Sequence, residues 1–294
     1  MIFNKSDLSL QTHWHPYREH YTHPHPSVTG HLLVAPSFYS PQLDNRRDIV
    51  VYLPPSYATG NGRYPVLYMQ DGQNLFDNTL SFSGEWQVDE TMEQLSQEEG
   101  LEAIVVGIAN GGAQRLNEYS PFQDKKHGGG KGDQYLQFVV NTLKPIIDES
   151  FRTLPEQAHT GIIGSSMGGL ISLYAFFRYP QTFGFTGVMS PSLWFADDAI
   201  LHYVEKTAVY HPGKIYLDAG TRELGDSWQN TLLMKSRRYY GRVRRLKRIL
   251  VYKGYRPIHE LLHMEGKNHR HQEWAWALRL PNAIRFFLRG NIRP

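Results

Sequence analysis

Residues 159–180 read HTGIIGSSMGGLISLYAFFRYP, and they decide the fold class. A short apolar run, a glycine-rich turn holding two serines, and a longer apolar run stopped by Pro180 predict strand, sharp turn and helix in succession. A G-x-S-x-G frame needs glycines two residues to either side of its serine. Ser166 meets that need, with Gly164 and Gly168; Ser165 is the variable position before it. The glycines are expected because a side chain at either position would collide with the adjoining strand or helix. Such a turn lifts the Ser166 hydroxyl to the C-terminal edge of a sheet, facing the positive end of the following helix. The alternative is a glycine-rich connection with an incidental serine, and the apolar strand and helix on either side favour the catalytic reading.

Outward from this turn, strand-like and helix-like runs alternate. GHLLVA, RRDIVVYL, YPVLYMQDG, LEAIVVGIANGG, HTGIIG, GFTGVMS, KIYLDAG and IHELLHME read as strands. GEWQVDETMEQLSQEEG reads as a helix stopped by Gly100, and GDQYLQFVVNTLKPIIDESF as one capped by Asp133, with further helical stretches at 228–248 and 272–289. Strands apolar on both faces, interleaved with helices, predict an α/β fold with a mainly parallel eight-stranded sheet covered on both sides. Residues 31–294 read as one domain. Residues 1–30, with His13, His15, His20, His23 and His25 among prolines, read as a surface arm, since their spacing matches no metal site.

The bulk composition narrows the function. A chain of 294 residues with 40% hydrophobic and 20% charged residues is that of a globular protein. A net charge of +3 is too mild to argue for nucleic acid. The absence of cysteine excludes a disulfide framework and a thiol nucleophile, and leans toward a reducing compartment. Without a signal-like start or a long apolar run, a cytoplasmic protein with no membrane partner is expected.

A serine hydroxyl is nearly inert at neutral pH and needs a base oriented by an acid. In chains built on such an elbow, the acid and then the histidine follow the serine in sequence. The strand KIYLDAG runs into TRELGD, so Glu223 is the expected acid and Asp226 the runner-up; Asp218, inside the strand pattern, is expected to face a helix or cap a local bond. Past the last strand, GKNHRHQEW offers His269 and His271, and spacing alone does not choose between them. The oxyanion donors expected are the N–H of Met167, after the serine, and that of Gln73 in MQDGQN, where Gly72 is expected to let the backbone turn.

The segments YPVLYMQDGQNLFD, IIGSSMGGLISLYAFFRYPQTFG, MSPSLWF and HRHQEWAWALRLPNAIRFFL resemble the putative esterase family of α/β-hydrolases, from about residue 45 to about 290. That family includes feruloyl and acetyl-xylan esterases, enterochelin esterases, S-formylglutathione hydrolase and the mycolyltransferases. The resemblance implies an α/β-hydrolase fold, with the nucleophile on Ser166 and the acid on Glu223. The family's histidine commonly precedes a tryptophan by five positions, which selects His269, before Trp274. Where the family often has Gly-Gly-His or Gly-Lys-His, Asn268 intervenes here.

Trp194, after a strand end on the same edge, is a candidate to line an acyl or sugar pocket. Arg115 is a candidate substrate contact, with local pairing to Glu118 as the alternative. The glycine-rich stretch 120–132 is expected to move over the site. In KSRRYYGRVRRLKRIL, an apolar stripe of Val243, Leu246 and Leu250 puts the basic residues on a solvated helix face. The expected function is hydrolysis of a small-molecule carboxylic ester through an acyl-enzyme on Ser166, with no cofactor. The rivals are transfer of the acyl group to a sugar or alcohol, and a catalytically silent binding protein.

Overall fold

The computed structural model describes residues 12–22, 27–225 and 231–289. Its strands are β1 (His15–Pro16), β2 (His31–Ser40), β3 (Asn45–Leu53), β4 (Val66–Gln70), β5 (Ile104–Ile108), β6 (Gln123–Asp124), β7 (Gly128–Gly129), β8 (Thr160–Ser166), β9 (Phe185–Pro191), β10 (Lys214–Gly220) and β11 (Leu261–Gly266). The long helices are α1 (Val88–Glu99), α2 (residues 132–150), α3 (Met167–Arg178), α4 (Phe195–Lys206), α5 (Thr231–Tyr252) and α6 (Glu273–Leu288). Among the described residues, nine strands form the main sheet, in the order β1-β2-β3-β5-β4-β8-β9-β10-β11. The six from β5 to β11 run parallel, and β1, β2 and β3 continue the sheet by antiparallel pairing. The ninth strand, one more than expected, comes from the histidine-rich arm, where His15 and Pro16 pair with Val34 and Leu33.

Successive strand residues feed two separate cores, because neighbouring side chains point to opposite faces. In β4, Val66 and Tyr68 join the core beneath α2, α3, α4 and α5, while Leu67 and Met69 join the core beneath α1 and α6. A strand buried on both faces has no polar alternation, which is why these runs read as continuously apolar. Helix α1 ends at Gly100, whose φ of 64° makes the left-handed stop. Helix α2 begins after Lys131 rather than with Asp133 as its cap; Asp133 instead accepts a hydrogen bond from Tyr174. Within α2, Val139–Leu143 winds as a π-helix just before Pro145, whose ring and missing N–H disturb the regular ladder. Stretch 120–132 contains the short β6–β7 ribbon, where Asp124 accepts the Lys126 and His127 N–H groups and that of Ala196 at the start of α4.

All six parallel strands end at one edge, and the loops leaving β4, β5, β8, β9, β10 and β11 meet there. In open α/β sheets this carboxyl edge is where ligands bind.

Candidate active site

Ser166 ends β8 and immediately precedes α3, with φ 56° and ψ −120°, a conformation costly for a side-chain-bearing residue. The packing explains the glycines. A Cβ on Gly164 would lie 2.7 Å from the carbonyl carbon of Gly168, so strand and helix could not approach as they do. Ser165 stays in register with Met189 in the sheet, while Ser166 departs from it. The Ser166 hydroxyl lies 3.0 Å from that of Ser192, and the Ser192 N–H donates to the Ser166 carbonyl at 2.9 Å. Met167 is the first residue of α3, so its N–H belongs to the helix-start donors that lack an intrahelical acceptor.

A cavity of about 900 Å³ opens over this turn; Ser165, Ser166, Gln73, Arg115 and His271 all line it. Gln73 sits in the single turn Gly72–Asn74 that follows β4. The left-handed residue there is Asp71, with φ 57°, rather than Gly72. Gly72 is required for a different reason: a Cβ on it would lie 2.7–2.8 Å from the backbone of Gly107, Ile108 and Ala109. Arg115 grips Asp71 through Nε to Oδ1 at 2.7 Å and Nη2 to Oδ2 at 2.8 Å, and Asn110 Nδ2 adds 2.7 Å to Oδ1. Burial would lower the Arg115 pKa, but the charge of Asp71 outweighs it and holds the guanidinium more basic than usual. Arg115 is thus already neutralised, and it fixes the loop that carries Gln73. The local partner considered from sequence, Glu118, is taken by Arg47 at 2.9 Å.

The acid and base loops meet behind the serine. Glu223, in the turn after β10, is 3% exposed. Its Oε2 lies 2.6 Å from Nδ1 of His271, and its Oε1 accepts the Ser190 hydroxyl at 2.6 Å and the Gly220 N–H. Burial pushes the Glu223 carboxyl upward, but His271, Ser190 and the Gly220 N–H together leave it below the ordinary glutamate value.

The histidine against Glu223 is therefore His271, not His269. His269 sits two residues earlier, with its Nδ1 3.0 Å from Arg279 Nη1, and burial followed by that positive charge lowers its pKa. The correction has a signal in the sequence. A tryptophan follows each histidine by five positions, Trp274 after His269 and Trp276 after His271. Trp276 is 5% exposed, lines the cavity and meets the His271 ring edge-on at 5.1 Å, whereas Trp274 is 48% exposed. Asp218 faces α6, bonded to Arg279 Nε at 2.9 Å. Asp226 lies outside the described residues, as do His23 and His25.

Trp194 is not among the cavity-lining residues. The Phe195 N–H returns to the Ser192 carbonyl, and after this turn the indole packs edge-on against His127 of the ribbon, 5.5 Å between centroids. The cavity's aromatic lining is instead Phe82, Trp86 and Trp276; Phe82 and Trp86 carry no local motif, and Trp276 is marked only by its spacing from His271. Behind Trp86, Glu85, Asp89 and Glu90 bring carboxylate oxygens within 4.8 Å of one another. One oxygen on each is buried without a partner. Burial, with Asp89 beside them, pushes Glu85 up to about 7 and Glu90 up to about 8.

A parallel sheet with a strained serine between strand and helix, and an acid and a histidine on loops past later strands, defines an α/β-hydrolase. The relatives agree with that class. The chain belongs to the putative esterase family, whose sequence pattern matches residues 40–287, and this makes it a carboxylic ester hydrolase. It is 34% identical over 188 residues to the uncharacterized protein YbbA of Bacillus subtilis, a match covering 61% of this chain and 69% of that one. It is 27% identical over 165 residues to the siderophore triacetylfusarinine C esterase of Aspergillus fumigatus, spanning 52% of this chain and about half (54%) of that protein. Among solved structures, the siderophore hydrolase EstB from Aspergillus nidulans superposes with a TM-score of 0.70 over 93% of this chain and 99% of that one, at 19% identity, a likeness of fold. Among the described residues, no helix is long and apolar enough to cross a membrane.

Proposed function

We propose that the protein hydrolyses a small-molecule carboxylic ester through an acyl-enzyme on Ser166. His271 takes the serine proton and returns it to the leaving alcohol. Glu223 holds the imidazole with Nδ1–H toward itself, which leaves Nε2 as the proton acceptor. The Met167 and Gln73 N–H groups receive the oxyanion of the tetrahedral intermediate, and water releases the acyl group. The observation that carries this reading is the 2.6 Å pair of buried Glu223 with His271, on a cavity that Ser166 also lines.

The cavity suits a bulky acyl or alcohol group. Three aromatic side chains line it, and the amides of Gln73 and Gln272, whose oxygens already accept the Asn110 N–H and the Trp274 indole N–H, add polar lining suited to an amide- or hydroxyl-bearing ester. The names of the relatives support the same class, since siderophore and feruloyl esters combine bulk with polar groups.

Hydrolysis of a p-nitrophenyl ester series, compared with a siderophore-type ester, tests the proposal. Wild type is expected to turn over, Ser166→Ala to lose turnover, and Ser165→Ala to keep most of it. Absence of hydrolysis with every ester would sink the reading and bring acyl transfer or silent binding forward.

A further inference from the structure

Between α6 and the acid loop lies a buried polar chain that the proposed reaction does not itself use. Arg279, on α6, donates from Nε to Asp218 Oδ2 at 2.9 Å, from Nη2 to Ser190 Oγ at 2.9 Å and from Nη1 to His269 Nδ1 at 3.0 Å. Ser190, in β9, is held on every side. Its N–H donates to Asp218 Oδ1 at 3.1 Å, and its carbonyl accepts the Tyr239 hydroxyl at 2.7 Å. Its φ is 38°, a strained value that these bonds maintain. Ser190 and Asp218 are wholly buried and Arg279 nearly so.

Donor counting fixes the direction of the chain. A guanidinium has no acceptor, so Ser190 Oγ must accept from Arg279. A hydroxyl has one proton, and the remaining neighbour is Glu223 Oε1 at 2.6 Å. The Ser190 proton therefore points at the carboxylate. Oε1 is then occupied by the Ser190 O–H and the Gly220 N–H, and Oε2 is the oxygen presented to His271. The same logic requires a lone pair on His269 Nδ1, so His269 is a neutral acceptor anchoring the fork.

We infer that Ser190 and Arg279 are positioning residues: Arg279 sets the Ser190 hydroxyl as a donor to Glu223, and this fixes the carboxylate plane that orients His271. The inference rests on the Ser166–His271–Glu223 reading above. It makes Arg279 matter through its fork geometry, not through any contact with substrate.

The test uses Ser190→Ala and the paired variant Arg279→Gln/Asp218→Asn, which removes both charges together and leaves neither buried alone. Steady-state kinetics, thermal unfolding and the downfield Nδ1–H proton resonance of His271 are measured in each. In both variants kcat is expected to fall about 10²-fold, the scale of a small misplacement of a catalytic group. KM is expected to stay near wild type, and the His271 resonance to move or broaden. Unchanged kcat in Ser190→Ala overturns the inference. So does a fall in kcat with the resonance in place, because the role is then merely structural. Turnover retained by Ser166→Ala defeats the underlying reading instead, whatever Ser190 does.

Discussion

The two histidines of GKNHRHQEW stand two positions apart, yet their surroundings separate them completely. His271 faces a carboxylate; His269 faces a guanidinium. His271→Ala is expected to lower kcat by on the order of 10³- to 10⁶-fold, the range for removing a base that acts with its serine. His269→Ala is expected to cost far less. A larger loss in His269→Ala than in His271→Ala, measured on the same ester, would reverse the assignment. Arg115 makes a different prediction: Arg115→Ala leaves Asp71 without its bidentate partner and loosens the Gln73 loop, so kcat falls while KM for a neutral ester changes little. The turn that carries Ser166 and the strand-ending turn that carries Glu223 were legible in the sequence, because glycine spacing and the end of an apolar run mark them. The choice between the histidines was not, because the five-residue spacing to tryptophan fits both, and burial of Trp276 distinguishes them only in three dimensions.

At the scale of elements, the turn after β4 depends on contact between backbones. Gly72→Ala forces a methyl group against β5, which is expected to cost about 1–3 kcal/mol as overpacking and to lower kcat through the displaced Gln73. Chemical denaturation alongside kinetics checks both. Helix α5 makes the opposite prediction. Val243, Leu246 and Leu250 are wholly buried, as the apolar stripe implies, while Arg244 and Arg248 are exposed and Arg242 pairs with Asp198 of α4 at 2.6 Å. Arg248→Glu is expected to change stability by no more than about 0.5 kcal/mol, the usual span for surface substitutions. Element types were readable from periodicity. Their ends were less so, since the start of α2 and the π-turn before Pro145 depend on competing partners rather than on pattern.

Across the whole molecule, the acidic group behind Trp86 links pH to stability. Glu85 and Glu90 titrate higher in the fold than the ordinary glutamate value near 4.5, at about 7 and about 8. The folded state therefore holds more protons than the unfolded chain between those values, and this group's contribution to stability declines as pH rises through the interval. Glu90→Gln is expected to raise Tm relative to wild type at about pH 9, with the gain fading toward about pH 5; a gain independent of pH would refute the assignment. The sequence by itself determined the alternation of strands and helices, the parallel sheet and the glycine-framed turn at Ser166, because each is written in local periodicity and in glycines that close packing demands. The tertiary structure alone decided which histidine meets Glu223, which aromatic residues wall the cavity, and that Arg279 reaches Ser190 from α6. Those contacts join residues far apart in the chain, from 89 positions for Arg279 and Ser190 to 190 for the ring contact of Trp86 and Trp276, and their geometry is set by how helices seat on the sheet, which local pattern does not encode.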